Sequence, residues 1–284
     1  MSASAGNSLF VSTAWLAENL DAPDLAIVDG TFFMPDENRD ARREYLAGHI
    51  PGAVFFDIDE IADHSTALPH MLPSVDVFAA AMEALGLGND QRFVVYDATG
   101  LPGAARVWWT LRVFGARDVK LLSGGLPQWR AEGRPLETGA PSRAPRAFAA
   151  HLDAVAVLDA AKVKAASESG SAQIVDARAA ARFKGAVPEP RAGLRSGHIP
   201  GSRNLPWREI AADGAIKPAD EVKAAFVAAG VDLTRPIITT CGSGVTAAVL
   251  LLALETIGKT GVALYDGSWS EWGGRDDLPI AIGD

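Results

Sequence analysis

The most constraining feature of this sequence is an internal repeat. The segment GHIPG stands at residues 48–52 and again at 197–201. Each copy follows a short apolar run that ends in aspartate, IVD at 27–29 and at 174–176. Because both the order and the approximate spacing of these segments are kept, the repeat predicts two copies of one fold in tandem.

Each copy alternates short β-branched runs with longer amphipathic segments. This pattern is typical of parallel strands joined by helical crossovers, which predicts an α/β fold with a mainly parallel sheet and helices on both faces. In the second half we expect strands near 174–176, 203–205, 237–240 and 262–265 and helices near 219–229 and 246–257; in the first half we expect strands near 26–29, 93–97 and 119–122 and a helix near 104–114.

The composition between the two copies indicates where the chain divides. Residues 138–149 are rich in Pro, Ala, Ser and Arg and lack apolar periodicity, as in a linker that runs over the surface. We therefore predict an N-terminal domain at 1–140, a linker at 141–150 and a C-terminal domain at 151–284. A chain of 284 residues is also long enough for two cores.

Charge and composition exclude several classes of partner. The net charge of -9 provides no basic surface for nucleic acid or for an anionic membrane. The longest apolar run, 247–254, is far shorter than the ~20 residues that span a bilayer, and residues 1–7 indicate a disordered start without a signal peptide. A single cysteine rules out an internal disulfide and predicts a cytoplasmic location.

That cysteine, Cys241, lies where a predicted strand turns into a predicted helix. In open parallel sheets ligands bind at this edge, where loops meet the N–H groups at the start of a helix. Gly242 and Gly244 allow the loop to curl so that successive N–H groups point inward, which favours a thiolate or a persulfide anion. The first half has Asp97 at the matching position, so the fold itself does not need a sulfur atom there. We therefore predict that Cys241 is a nucleophile and that the first half is non-catalytic.

Two tandem halves with the loop CGSGVTA at 241–247 resemble the rhodanese superfamily, and within it the tandem-domain 3-mercaptopyruvate sulfurtransferases. The resemblance covers nearly the whole chain, and further matches are DID at 57–59, HMLP at 70–73, RVWW at 106–109, PEPR at 188–191 and DGSW at 266–269. It implies that sulfur passes from a small-molecule donor to an acceptor through a persulfide on Cys241, without a metal or an organic cofactor. The five histidines and one cysteine likewise show no spacing typical of zinc ligands.

The resemblance also implies roles for other residues. Arg182 and Arg191 fall where the family binds the carboxylate and carbonyl of the donor, a task that suits the planar guanidinium. The loop residues Gly242, Gly244, Val245 and Thr246 are expected to contact the donor as well. Family members link a serine with a histidine and an aspartate, which here would be Ser243, His49 and Asp40. His49 has a competing interpretation, because the repeated GHIPG segment suggests that this histidine supports a turn in both halves.

Residues after the cysteine separate the possible donors. Thiosulfate enzymes of the superfamily resemble Cys-Arg-Lys-Gly, whereas this chain has neutral Gly242 and Ser243, which suits 3-mercaptopyruvate. The expected acceptors are cyanide, small thiols or thioredoxin. A thiosulfate sulfurtransferase and a non-enzymatic sulfur carrier remain alternatives. A cysteine phosphatase is disfavoured, because Ala247 occupies the position of its loop-closing arginine.

Overall fold

A computed structural model describes residues 9–34 and 37–283. The predicted disordered start at 1–7 lies outside the described residues. The chain divides into two compact units: unit 1 is Met1–Ile61, Ser74–Leu152 and Asp213–Ala215, and unit 2 is Ala62–Pro73, Asp153–Ala212 and Ile216–Asp284. The predicted linker at 141–150 groups with unit 1. Residues 62–73, from the first half of the sequence, group with unit 2, and residues 213–215, from the second half, group with unit 1.

Unit 1 contains one five-stranded sheet in the order β1-β5-β4-β2-β3, and its paired strands are parallel. Its elements in chain order are β1 (Phe10–Val11), α1 (Thr13–Glu18), β2 (Leu25–Asp29), α2 (Ala41–Ala47), β3 (Val54–Phe55), α3 (Val75–Ala84), β4 (Arg92–Tyr96), α4 (Pro102–Val113), β5 (Val119–Leu122) and α5 (Gly125–Ala131).

Unit 2 repeats this topology in the order β6-β12-β11-β7-β8, again with parallel pairs. Its elements are β6 (Val157–Leu158), α6 (Ala160–Ser169), β7 (Gln173–Asp176), α7 (Ala180–Phe183), β8 (Arg203–Asn204), a 3-10 helix (Trp207–Glu209), β9 (Ala211–Ala212), β10 (Ala215–Ile216), α8 (Ala219–Ala228), β11 (Ile237–Thr240), α9 (Val245–Thr256), β12 (Val262–Tyr265) and α10 (Ser268–Trp272). β9 and β10 form a separate two-stranded sheet.

The two sheets confirm the predicted α/β fold with mainly parallel strands. The central strands β4 and β11 are buried along nearly their whole length, as expected for parallel strands that are covered on both faces. The predicted strands were placed within one residue of the observed ones. The edge strands β1, β3 and β6 and the short strands β9 and β10 were not predicted, because two residues are too few to show a periodicity.

Equivalent tryptophans anchor the two cores. Trp129 of α5 and Trp272 of α10 are fully buried. The indole N–H of Trp129 donates to the Pro135 carbonyl at 2.8 Å, and that of Trp272 donates to the Pro279 carbonyl at 2.7 Å. Both rings therefore fill apolar space and still satisfy their polar atom. Among the described residues no helix has the length and apolar character needed to cross a membrane.

Candidate active site

Cys241 lies at the carboxyl end of the central strand β11, which pairs with β7 on one side and β12 on the other. Its side chain is buried, with 2% exposure. Gly244 closes the short loop with a left-handed backbone (φ 78°) and is the N-cap of α9. The helix begins at Val245, one residue before the expected start, because the left-handed glycine ends the loop there. Val245 and Thr246 are therefore first-turn residues whose N–H groups lack partners within the helix.

The matching loop of unit 1 binds an anion that is part of the chain. The Asp97 carboxylate accepts hydrogen bonds from the backbone N–H of Thr99 at 2.9 Å, of Ala104 at 3.0 Å and of Gly100, and from the Thr99 hydroxyl at 3.1 Å. Burial raises the pKa of Asp97, and these N–H donors act in the opposite direction. A strand-to-helix loop of this fold thus surrounds a negative group with backbone donors.

The Asp97 loop is also covered from outside. A Cβ on Gly100 would lie 2.6 Å from the Gly214 Cα, within unit 1. The loop is thus occupied by a carboxylate and approached closely by backbone. That the first half is non-catalytic stays a prediction.

Helix α10 holds the backbone of the Cys241 loop in unit 2. The Cys241 N–H donates to the Ser268 hydroxyl at 3.2 Å, and the Cys241 carbonyl accepts from the Trp269 N–H at 3.0 Å. The Gly242 carbonyl accepts from both the N–H and the hydroxyl of Ser270, at 2.8 and 2.7 Å. These contacts hold the backbone of Cys241, which carries the sulfur atom, and of Gly242.

Arg182 of α7 lies directly against the loop. A Cβ built on Gly242 would be 3.1 Å from an Arg182 guanidinium nitrogen. The guanidinium is held by Glu189, with contacts of 3.2 and 2.5 Å to its two carboxylate oxygens. Arg182 keeps 22% side-chain exposure, whereas the Glu189 side chain is 1% exposed. A cation is therefore fixed beside the residue that follows Cys241.

Arg178, four residues before Arg182, has a different environment. Its guanidinium donates to both oxygens of Asp176, to Glu189 at 2.9 Å and to the Gly197 carbonyl at 2.8 Å. Burial would lower the pKa of Arg178, but the negative charges of Asp176 and Glu189 outweigh it and the pKa is raised. The N–H groups of Arg178 are therefore taken up by Asp176, Glu189 and the Gly197 carbonyl, whereas the Arg182 guanidinium lies against the loop.

Arg191 and Arg195 also differ in surroundings. Arg191 is half-buried in unit 2, and its guanidinium lies 3.4 Å from the Nε2 atom of His70. Arg195 instead donates to backbone carbonyls, among them those of Gly273 and Trp272 at 3.1 Å each. Arg195 therefore connects its own loop to the chain segment that follows α10. This leaves Arg191 as the second candidate residue for binding the donor.

The predicted histidine and aspartate lie in unit 1 with local contacts. His49 is fully buried, stacks on Tyr45 and bonds through Nδ1 to the Tyr45 carbonyl at 2.8 Å. His198, its repeat in unit 2, stacks on Phe183 and bonds through Nδ1 to the Phe183 carbonyl at the same distance. Asp40 caps α2 by accepting from the Arg43 N–H at 2.9 Å. These contacts are those of turn and cap residues, and a catalytic role for His49 and Asp40 stays a prediction.

The remaining predicted residue, Ser243, is buried between Gly242 and Gly244 in the loop itself. Sequence reasoning did not assign Glu189 or His70, although both belong to segments that it singled out. An acidic residue two positions from a candidate arginine was an available signal for Glu189. His70 had no such signal, because only the tertiary structure groups 62–73 with unit 2.

Comparisons with known proteins agree with this geometry. A model of the rhodanese-like domain matches residues 12–132 and 159–275. The chain is 50% identical over 272 residues to the 3-mercaptopyruvate sulfurtransferase of Escherichia coli strain K12, covering 95% of this chain and 97% of that protein. It is 46% identical over 271 residues to the thiosulfate sulfurtransferase of Bos taurus, covering 92% and 91%.

Among solved structures, the crystal structure of SseA, a 3-mercaptopyruvate sulfotransferase from Escherichia coli, superposes with a TM-score of 0.87 at 47% identity. The superposition covers 92% of this chain and 99% of that chain. Two matched regions, one in each half of the sequence, together with relatives that align over nearly the full length, show that this chain belongs to the rhodanese family.

Proposed function

We propose that this protein is a 3-mercaptopyruvate sulfurtransferase that carries sulfur on Cys241. The observation that carries the proposal is the placement of Arg182 against Gly242, where Glu189 holds a cation beside an otherwise neutral loop. A donor with its carboxylate a few bonds from its thiol fits such an arrangement, because its charge is bound next to the loop and its sulfur reaches the loop.

The chemistry proceeds in two steps on one sulfur atom. The Cys241 thiolate attacks the donor sulfur, a sulfur–sulfur bond forms, and the donor's carbon–sulfur bond breaks with its electron pair passing to the pyruvate enolate. Arg182 and Arg191 stabilise the enolate until it takes a proton from solvent. A nucleophilic acceptor then attacks the outer sulfur and releases the Cys241 thiolate.

The loop of unit 1 supports the electrostatic part of this proposal. It surrounds the Asp97 carboxylate with backbone N–H groups, and the Cys241 loop has the same strand-to-helix connection with glycine at 242 and 244. Donors placed in this way favour a thiolate or persulfide anion in the buried loop. We assign Ser243 to the site because it lies in the same loop as Cys241.

The donor needs a separate argument, because relatives named for two different donors align at similar identity. An arginine at position 242 would bring a second cation against Arg182, since a Cβ there already comes within 3.1 Å of the guanidinium. Glycine at 242 avoids this repulsion, so the positive charge for the donor comes from Arg182 and Arg191 and not from the loop. The acceptors proposed are cyanide, small thiols or thioredoxin. A reducing cytoplasm is the proposed location because it keeps Cys241 reduced.

Donor assays on matched variants test the proposal. Pyruvate release from 3-mercaptopyruvate and thiocyanate formation from thiosulfate, both with cyanide as acceptor, are to be measured on wild type, Cys241→Ser and Ser202→Ala. We expect a strong preference for 3-mercaptopyruvate that Cys241→Ser abolishes and Ser202→Ala keeps.

Other outcomes would assign the protein differently. A preference for thiosulfate would keep Cys241 as the nucleophile and refute the argument from Gly242 and Arg182. Turnover that survives in Cys241→Ser would refute the persulfide mechanism. Inactivity of the wild type on both donors would favour a sulfur carrier.

A further inference from the structure

Ser268 combines a strained backbone with a defined hydrogen-bond role. It has a left-handed conformation (φ 49°), which a residue with a Cβ rarely adopts. Its hydroxyl donates to the Tyr265 carbonyl at 2.8 Å. With its proton used there, the oxygen is an acceptor for the Cys241 N–H at 3.2 Å. A strained residue that is retained at such a contact suggests that the contact has a function.

The equivalent position in unit 1 shows that the fold does not need a serine here. Gly125 occupies it with nearly the same backbone (φ 55°), and a Cβ on Gly125 would lie 2.7 Å from the Asp97 carbonyl. Glycine adopts this conformation without strain. The half with the nucleophile therefore has the strained serine, and the half without it has the unstrained glycine.

The next difference between the halves lies two residues further on. Ser270 donates to the Gly242 carbonyl through both its N–H and its hydroxyl. Unit 1 has Pro127 at this position, which has neither group. The residue between these two positions makes the same contact in both units. The Trp269 N–H donates to the Cys241 carbonyl in unit 2, and the Leu126 N–H donates to the Asp97 carbonyl in unit 1, each at 3.0 Å.

We propose that Ser268 and Ser270 are positioning residues that hold the Cys241–Gly242 backbone in the geometry required for sulfur transfer. They touch the backbone of the nucleophile and not the reacting atoms. The bonds reach the N–H of Cys241 and the carbonyl of Gly242, so they fix the peptide unit before the Cys241 Cα and the peptide unit after the Gly242 Cα. This inference rests on the sulfurtransferase reaction proposed for Cys241.

The test compares Ser268→Gly with Ser202→Ala. Glycine is the residue of the other unit, so the variant keeps the backbone conformation and loses only the hydroxyl bonds. Ser202 is a matched control, since it is a buried serine of unit 2 whose hydroxyl also donates to the carbonyl three residues earlier, that of Ile199 at 2.6 Å. A second variant, Ser270→Ala, removes the hydroxyl bond to Gly242.

The rate of sulfur transfer and the rate of Cys241 alkylation are to be measured, and we expect the first to fall and the second to rise. Ser268→Gly should lower kcat for sulfur transfer from 3-mercaptopyruvate about tenfold, because misplacing a reacting group by a fraction of an ångström is costly. KM should stay within about twofold, since Arg182 and Arg191 are untouched. Alkylation of the buried Cys241 by iodoacetamide should become about threefold faster, because a released loop exposes the sulfur more often.

Each result bears on the proposal. Unchanged kcat and alkylation in Ser268→Gly, or equal changes in Ser202→Ala, would overturn it. Parallel losses of both rates would also overturn it, as they would indicate general damage. If the wild type transfers sulfur from neither donor, the proposed function fails, and the alkylation rates still decide whether Ser268 holds the loop.

Discussion

At the scale of single residues, two aspartates at equivalent positions of the repeat have different environments. Asp29 and Asp176 end equivalent strands, β2 and β7, and both are buried. Asp176 is paired with the Arg178 guanidinium at 2.7 Å. Asp29 accepts from the N–H and hydroxyl of Thr31 instead. The same position is thus part of an ion pair in unit 2, whereas in unit 1 the buried acid has no cation among its hydrogen-bond partners in the part of the chain that the structure describes.

This difference predicts opposite effects of two matched substitutions. Burial raises the pKa of Asp29 from 3.8 to about 6. The folded state therefore binds a proton more tightly than the unfolded state, and stability from this group is lost as pH rises from about 4 through about 6, by up to roughly 3 kcal/mol. Asp29→Asn should gain stability over wild type above pH 6 and little near pH 4.

Asp176→Asn should instead destabilise unit 2, by about 3–5 kcal/mol, because it removes a negative charge that is paired with the buried Arg178 guanidinium. Thermal unfolding of both variants and the wild type between pH 4 and 8 measures the contrast. An advantage of Asp29→Asn that is independent of pH would contradict the assignment of a raised pKa to Asp29.

Glu189 is the residue that orders the proposed donor-binding arginine. Glu189→Gln keeps the shape but removes the charge that holds Arg182. We expect KM for 3-mercaptopyruvate to rise about tenfold with kcat within about threefold, because substrate binding depends on a fixed guanidinium. KM does not depend on the folded fraction, so it separates this effect from lost stability. Glu221→Gln, on the exposed face of α8, is the control, and an unchanged KM in Glu189→Gln would refute the role.

At the scale of secondary structure, the helix after each loop meets the end of the neighbouring strand through different residues in the two units. A Cβ on Gly103 of α4 would lie 2.1 Å from the Gly30 carbonyl, which leaves no room for a methyl group. The equivalent positions in unit 2 are Ala177 and Ala247, both fully buried. Unit 1 therefore depends on a glycine contact where unit 2 accommodates two methyl groups.

Gly103→Ala should destabilise unit 1 by about 2–3 kcal/mol, since overpacking against backbone cannot be relieved by moving a side chain. Ala247→Gly should cost about 1 kcal/mol through lost helix propensity. Urea unfolding of each variant measures both values. An equal cost in the two variants would contradict the difference in packing.

At the scale of the whole molecule, the compact units differ from the two halves of the sequence. Residues 62–73 precede the predicted linker, yet they group with unit 2. Within that unit the Leu72 N–H donates to the Asp266 carboxylate at 2.7 Å, and His70 contacts Arg191. The unit that contains Cys241 is therefore incomplete without a segment from the first half of the sequence.

This grouping makes a prediction for the separated halves. A fragment of residues 151–284 retains Cys241, Arg182 and Arg191 but lacks His70 and the partner of Asp266. We expect its kcat/KM for 3-mercaptopyruvate to be at least about a hundredfold below that of the full chain. Circular dichroism establishes whether the fragment keeps its helices, and co-expression with residues 1–150 is expected to restore activity. A folded fragment with full activity would contradict the prediction.

The sequence by itself determined the repeat, the parallel sheets, the family and the likeness of the two halves. These depend on local patterns: a buried strand such as β11 needs an apolar run, and the turn at Gly244 needs a left-handed residue. Cys241 was found in the same way, because Asp97 marked the matching position in the other half. The fold class and the family were confirmed, while the domain boundaries and the residue roles remain predictions.

Only the tertiary structure decided which charges meet. The resemblance pointed to Arg182 and Arg191, and what separates them from the nearby Arg178 and Arg195 is the set of partners, Glu189 and backbone carbonyls, that folding brings to each. His70 and Ser268 were missed for the same reason. Partners far apart in the chain are set by strand order and by the path of loops, and a one-dimensional pattern does not record which side chains this brings within hydrogen-bonding distance.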